Sequence, residues 1–247
     1  GNIGEAAKLL GISKSDYIAA AMKQSSLFGQ LPKTINEKIE DAAMLLGISK
    51  SDYIAAALKQ PQLFYQSPKT INGNIEDAAR LLGISKPDYI AAALKQPQLF
   101  EQSPKTINKH IEEAAKLLDI SKSDYIATAM KRPSLFCYSP ETIWGNFKIL
   151  CLLYESADEA IDCALKYPAY LTYSQERDFT HYLARIITGK TTDIFKNPRT
   201  YLQKYFASDP EAWEKLSRIL DAFEKYHRED KKEINRMLAD RERGEAS

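Results

Sequence analysis

Residues 67–102 read SPKTINGNIEDAARLLGISKPDYIAAALKQPQLFEQ, and this stretch recurs on both sides at a spacing of 36 residues. Gly11, Gly47 and Gly83 form one series, continued by Asp119. Tyr17, Tyr53, Tyr89 and Tyr125 form a second, and Phe28, Phe64, Phe100 and Phe136 a third. Units 31–66 and 67–102 differ at only six positions: Leu31/Ser67, Glu37/Gly73, Lys38/Asn74, Met44/Arg80, Ser51/Pro87 and Tyr65/Glu101. A fixed period of this length is the signature of a helical solenoid.

Each unit reads as two helices joined by a short turn. Ser67 is placed to N-cap the first helix, with Pro68 at N1, where no backbone donor is lost. Ile71, Ile75, Ala78, Ala79 and Leu82 then follow at helical spacing as one apolar stripe. Gly83 stands where a left-handed residue would end the helix, and Ile84 supplies the contact that accompanies such an ending. Ser85 and Asp88 read as a variant capping box for the second helix. Its stripe is Tyr89, Ile90, Ala93 and Leu94. Pro97 stops it, and 97–100 is long enough only for a 3₁₀ turn, whose Leu99 and Phe100 are expected to plug the gap between units. One unit cannot bury enough apolar surface alone, so neighbours must stack. The expected fold is an all-α superhelical solenoid, right- or left-wound, closed by a long C-terminal helix.

The solenoid is expected over 1–202, with a partial unit 1–30, regular units 31–66, 67–102 and 103–138, a drifting unit 139–173 and a short unit 174–202. In unit 139–173, Trp144 and Phe147 replace small or polar residues, Tyr154 takes the glycine slot, and Pro168-Ala-Tyr-Leu171 closes it one residue early. Gly189 marks the turn of the short unit and Pro198-Arg-Thr-Tyr-Leu202 its close. Ser208-Asp209-Pro210-Glu211 starts a capping helix in 203–247, in which Trp213, Leu216, Ile219, Leu220 and Phe223 would seal the last unit. Its second half, 226–243, mixes both signs of charge and reads as a solvated end. Gly1-Asn2-Ile3 aligns with Gly73-Asn74-Ile75, which predicts that further repeats precede this sequence in the natural protein.

The net charge is +1 and hydrophobic residues make up 44% of the chain, an ordinary globular composition with no membrane-span signal. Cys137, Cys151 and Cys163 are odd in number and lack CxxC spacing, which fits a reduced, intracellular setting. Cys151 and Cys163 fall where helices need small core residues. His110, His181 and His227 show no metal-ligand spacing, and there is no glycine-rich phosphate loop. No enzyme, metal or cofactor is expected. Acids such as Glu76-Asp77 read as a solvated helix face.

What varies among the copies points to binding. One slot pair holds Gly1-Asn2, Glu37-Lys38, Gly73-Asn74, Lys109-His110 and Gly145-Asn146. A second slot holds Lys8, Met44, Arg80 and Lys116, and a third Gly29, Tyr65, Glu101 and Cys137. Residues 73 and 80 are seven apart and share one helix face. Gly73 inside a helix costs about 0.5–1 kcal/mol relative to Ala, which suggests a close approach by a ligand.

The residues Pro97-x-Leu-Phe100-x-x-Ser103-Pro-x-Thr-Ile107, then Ile111, Leu117-Leu118, Ile120-Ser121 and Asp124-Tyr-Ile126, resemble the helical repeat of mitochondrial transcription termination factors (mTERF). The resemblance covers 1–202. It implies two helices and a 3₁₀ turn per unit, and a curved solenoid that binds nucleic acid, generally double-stranded DNA. The near-identity of the units is similar, in organisation only, to TAL-effector-like modular readers. On this reading Lys33, Lys69 and Lys105, with the helix N-termini beside them, hold phosphates. Asn74 and His110 offer base-edge donors and acceptors, and Gly73 leaves room for a base. Arg80, Lys116 and the pairs Glu37-Lys38, Lys109-His110 and Gly145-Asn146 complete the candidate site. Packed helices sit about 8–10 Å apart and bases rise about 3.4 Å, so one unit per base demands a tightly wound superhelix. The alternative is a protein-binding scaffold that uses the concave face, consistent with the neutral charge balance. A purely structural spacer is a third possibility, and a monomer is expected.

Overall fold

The computed structural model describes residues 2–151, 156–172 and 198–228, which are helical or connecting, with no strand among them. Contacts divide the chain into two compact units, Gly1–Lys109 and His110–Ser247.

The first unit contains α1 (Asn2–Leu10), α2 (Lys14–Lys23), α3 (Pro32–Leu46), α4 (Lys50–Lys59), α5 (Pro68–Leu82), α6 (Lys86–Lys95) and the start of α7 (Pro104–Leu118). The 3₁₀ turns Ser25–Gly29, Pro61–Phe64 and Pro97–Phe100 link each second helix to the next first helix. First helices pack in series, α1 on α3 on α5, and second helices do the same, α2 on α4 on α6. The expected stripes are buried: Ile71, Ile75, Ala78, Ala79 and Leu82 on α5, with Tyr89, Ile90 and Ala93 on α6. Leu94 is only half-buried. Leu99 and Phe100 fill the space between repeats, and the Phe100 ring meets Tyr53 of the preceding repeat edge-on at 6.3 Å.

The second unit contains the rest of α7, then α8 (Lys122–Lys131), the turn Pro133–Phe136, α9 (Pro140–Cys151), α10 (Ala157–Lys166), the turn Pro168–Thr172, α11 (Pro198–Tyr205) and α12 (Pro210–Arg228). In α9, Phe147 is buried and its ring lies 5.7 Å from Trp144. The N-terminus of α12 is capped by Asp209, whose Oδ1 accepts from the Ala212 amide at 3.0 Å. Leu216 and Leu220 are buried, and α12 packs on α9. Pro198–Leu202, expected as a unit-closing turn, instead opens α11. The rest of the short unit at 174–197, Tyr154 and the charged end at 229–243 lie outside the described residues.

The first helices α3, α5 and α7 are long because 15 residues run from the proline of each to a defined stop. At that stop Gly83 has φ +66°. Its amide bonds the Arg80 carbonyl at 3.2 Å, and the Ile84 amide bonds the Ala79 carbonyl at 3.1 Å, which is the Schellman pattern. Asp119 adopts the same conformation, with φ +57°, as the only non-glycine with positive φ among the described residues. Second helices start from a serine that accepts the amide three residues on: Ser49 from Asp52 at 3.0 Å and Ser85 from Asp88 at 3.2 Å. The first helices α3 and α5 differ, because Ser67 makes no side-chain cap and Leu31 has none to make, whereas at the start of α9 Ser139 Oγ accepts the Thr142 amide at 3.3 Å. With proline at N1, the next amides of α3 and α5 are left without a side-chain acceptor.

A bond invisible to periodicity ties α2, α4, α6 and α8 each to its 3₁₀ turn. The buried tyrosine hydroxyl donates to a leucine carbonyl ten residues on: Tyr17 to Leu27 at 3.2 Å, Tyr53 to Leu63 at 3.0 Å, Tyr89 to Leu99 at 3.3 Å and Tyr125 to Leu135 at 3.3 Å. Burial pushes the Tyr17, Tyr53 and Tyr125 phenols up. Cys151 and Cys163 are half-buried thiols rather than core residues, and burial also raises the Cys151 thiol.

Candidate nucleic-acid interface

The sequence-marked residues separate into three groups. The first lies exposed on the first helices: Lys33, Glu37, Arg80, Lys69, Lys105, Lys109 and Lys116. Lys33 stands 4.0 Å from Glu37, and Arg80 bonds Asp77 at 2.9 Å. Gly73 belongs to this face. It is half-buried, and a methyl group built on it would meet nothing within 4 Å, so the protein's own packing does not demand a glycine there.

The second group is turned inward, which corrects the expectation that both members of each pair face a ligand. Lys38 Nζ donates to the Tyr65 carbonyl at 2.8 Å, at the end of its own repeat's 3₁₀ turn. Asn146 is only 1% exposed, and its Nδ2 donates to the Leu171 carbonyl at 2.9 Å, with Gly145 buried beside it. Asn74 is half-buried, and so is His110, whose Nδ1 is enclosed without a hydrogen-bond partner. Successive helix residues diverge by about 100°, so two neighbours cannot share one face. In these pairs the second member belongs to the repeat's interior.

The third slot joins repeats together. Gln60, at the end of α4, donates through Nε2 to Glu101 Oε2 at 2.7 Å. Burial raises the Glu101 carboxyl, and this hydrogen bond opposes the rise. In the second unit Arg132 Nε donates to Thr172 Oγ1 at 2.7 Å in the equivalent place.

A recurring clamp was not singled out from the sequence. Lys86, the first residue of α6, reaches Asn72 Oδ1 at 2.7 Å, Glu76 Oε1 at 2.9 Å and the Leu45 carbonyl of the preceding repeat at 3.4 Å. Lys50 does the same with Asn36 at 2.6 Å, Glu40 at 2.8 Å and Leu9 at 3.4 Å. Lys122 meets Glu112 at 2.9 Å. The hydrogen bond from Lys86, then that from Asn72, holds the Glu76 carboxyl below its ordinary value, and Lys50 and Asn36 do so for Glu40. These acids are therefore structural and not merely solvated. The signal available was invariance: Asn36, Glu40 and Lys50 recur unchanged as Asn72, Glu76 and Lys86, and as Asn108, Glu112 and Lys122.

Charge segregates along each repeat once the clamp lysines are set aside. From Tyr53 to Ile75, around the 3₁₀ turn, the chain carries Lys59 and Lys69 and no acid. From Tyr89 to Ile111 it carries Lys95, Lys105 and Lys109 against the half-buried Glu101. The opposite holds around the tight turns. Residues 40–52 carry Glu40, Asp41 and Asp52 against Lys50, and residues 76–88 carry Glu76, Asp77 and Asp88 against Arg80 and Lys86. Lys59, Lys69, Lys95 and Lys105 are all exposed and flank 3₁₀ turns, and Lys59 and Lys69 lie beside the N-terminus of α5, which lacks a side-chain cap. Lysines placed there add to the positive end of the helix dipole, an arrangement suited to phosphate.

Among the described residues no cluster of His, Cys, Asp and Glu could hold a metal, and no helix is long and apolar enough to cross a membrane. A comparison with curated proteins found no match. The mTERF family model matches residues 10–194, about three quarters of the chain. Proteins of that family are in general nucleic-acid-binding helical repeats. With its two-helix repeats, its 3₁₀ turns and this match, the chain belongs to the mTERF family.

Proposed function

We propose that this protein is a modular nucleic-acid-binding module without catalytic activity, that it favours DNA over RNA, and that it holds the phosphate backbone through the 3₁₀ side of its repeats. The observation that carries this reading is the segregation of charge: Lys59, Lys69, Lys95 and Lys105 flank the 3₁₀ turns while the acids collect at the tight turns. Affinity then comes from these lysines and from first-helix amides such as those of α5, which no side chain caps. Base approach falls to the outward members of the variable pairs, Gly73 and Lys109, because their neighbours Asn74 and His110 turn toward the repeat. Gly73 is open space to its own protein, so a base or sugar is what its missing side chain admits.

The test is binding to randomised duplex DNA and RNA pools at ~50 and ~200 mM salt. Salt-sensitive retention of duplex DNA above RNA supports the reading. Equal retention of both pools, or binding indifferent to salt, overturns it.

A further inference from the structure

In the slot that joins repeats, Gly29, Tyr65 and Cys137 are uncharged and Glu101 is the exception. Glu101 follows the 3₁₀ turn Pro97–Phe100, and its amide bonds the Gln98 carbonyl at 3.2 Å. Its Oε2 accepts from Gln60 of the preceding repeat at 2.7 Å. Its Oε1 is enclosed with no hydrogen-bond partner among the described residues. A carboxylate so placed lacks hydrogen bonds that water would give it, and burial accordingly raises it. The turn packs against α4, α5 and α6. On α4 the Tyr53 phenol faces Glu101 and is pushed up by burial first and by this carboxylate second. Lys50 is held in its clamp and Asp52 by Ser49. On α5 and α6, Glu76 and Lys86 hold each other, Asp77 holds Arg80, Ser85 holds Asp88, and the Tyr89 hydroxyl donates to the Leu99 carbonyl. Lys59, Lys69 and Lys95 are exposed. No described cation pairs with Glu101; burial and the Gln60 bond alone set its carboxyl.

Lys95 and Lys105 flank the same turn, six residues before Glu101 and four after it, and both are exposed. Phosphate held by these lysines brings negative charge toward a carboxylate that has no counter-ion. A partly buried charge is screened by salt less than an exposed one, so the repulsion persists at ordinary ionic strength. Resting on the nucleic-acid reading above, we propose that Glu101 couples nucleic-acid binding to uptake of one proton from solvent: its carboxylate form repels phosphate at the turn, and its protonated form does not. Proton and phosphate then favour each other reciprocally, as linked ligands must. Glu101 touches no phosphate itself and acts through its charge. In the second unit Thr172, which cannot titrate as an acid, makes the equivalent tie with Arg132, so the coupling belongs to this junction.

The test is anisotropy of a fluorescent DNA duplex titrated with the whole protein from about pH 5 to about pH 8, at a fixed salt of about 100 mM. The proteins are the wild type, Glu101→Gln and Glu101→Tyr, the last carrying the residue that the preceding repeat has in this slot. One linked proton changes affinity by at most about tenfold per pH unit, and the wild type is expected to lose roughly three- to tenfold more affinity than either variant across the range. The histidines are common to all three proteins, so their slope cancels in the comparison. Urea unfolding without DNA is an independent readout. Because the folded carboxyl is raised, the contribution of its neutral form is complete below the unfolded value of about 4.3 and is lost as pH rises through the folded one. Glu101→Gln should therefore have the higher urea midpoint at about pH 7, with the gap closing toward about pH 4. Equal pH slopes in proteins that all bind the duplex overturn the inference and leave the nucleic-acid reading standing. An absent urea gap also overturns it. Duplex binding by none of the proteins at any pH overturns both.

Discussion

Asp119 is the one described non-glycine residue in the left-handed region, and replacing it tests the repeat grammar directly. Its φ of +57° matches the +66° of Gly83, and its amide bonds the Lys116 carbonyl at 3.2 Å as Gly83 bonds Arg80. A side chain in that region costs about 1–2 kcal/mol, toward the lower end for Asp. A carboxylate among the last carbonyls of a helix adds about 0.3–1 kcal/mol of repulsion. Glycine gives back about 0.4–1 kcal/mol through the freedom it adds to the unfolded chain. Asp119→Gly is therefore expected to stabilise the protein by about 1 kcal/mol, and a chain of this size gains about 2–4 °C in Tm per kcal/mol. Gly83→Asp should lose a similar amount. Urea and thermal unfolding followed by far-UV circular dichroism read both. A neutral or destabilising Asp119→Gly, or a harmless Gly83→Asp, would refute the claim that this slot is governed by backbone conformation.

Tyr53→Phe deletes the donor to the Leu63 carbonyl and should cost about 1–2 kcal/mol by urea unfolding. Because burial raises the Tyr53 and Tyr125 phenols, the folded state holds them neutral. Their contribution is complete below the unfolded value of about 10 and falls as pH rises beyond it, so urea midpoints should drop above about pH 10. Glu76 works in the other direction: its lowered value gives stability above the unfolded value of about 4.3 that is lost as pH falls through the folded one. Lys86→Met should therefore destabilise at about pH 7, with the gap to wild type narrowing by about pH 3. Gly73→Ala, in open space within a helix, should raise stability by about 0.5–1 kcal/mol, and weaken DNA binding if a base occupies that space.

The fold was legible because its causes are local and repeated. Gly83 marks a left-handed stop, Pro97 a break and Ser85 an N-cap, and each sits where a 36-residue period puts it. The Ser67 cap was not legible, because a serine before a proline is compatible with capping whether or not its hydroxyl turns inward. Of the candidate site, the exposed members Lys69, Arg80 and Lys105 could be placed from helical phase. Lys38 and Asn146 could not, because adjacency in sequence hid the turn that points them at carbonyls of their own repeat. The Lys86 clamp was hidden for a different reason: constant residues read as scaffold, and nothing in one chain says which constants touch across repeats. That Met44 of α3 and Pro87 of α6 line one groove likewise needed the junction between repeats to be seen.

The most direct measurement compares salt slopes for duplex DNA binding between the wild type and a variant with Lys59, Lys69, Lys95 and Lys105 changed to glutamine. If those lysines hold phosphates, the slope of log affinity against log salt should shrink by about three to four, at roughly 0.9 per contact. Arg80→Gln, which removes a cation already paired with Asp77, should leave the slope nearly unchanged. A four-lysine variant with the wild-type slope would contradict the assignment of the 3₁₀ side to the nucleic-acid backbone.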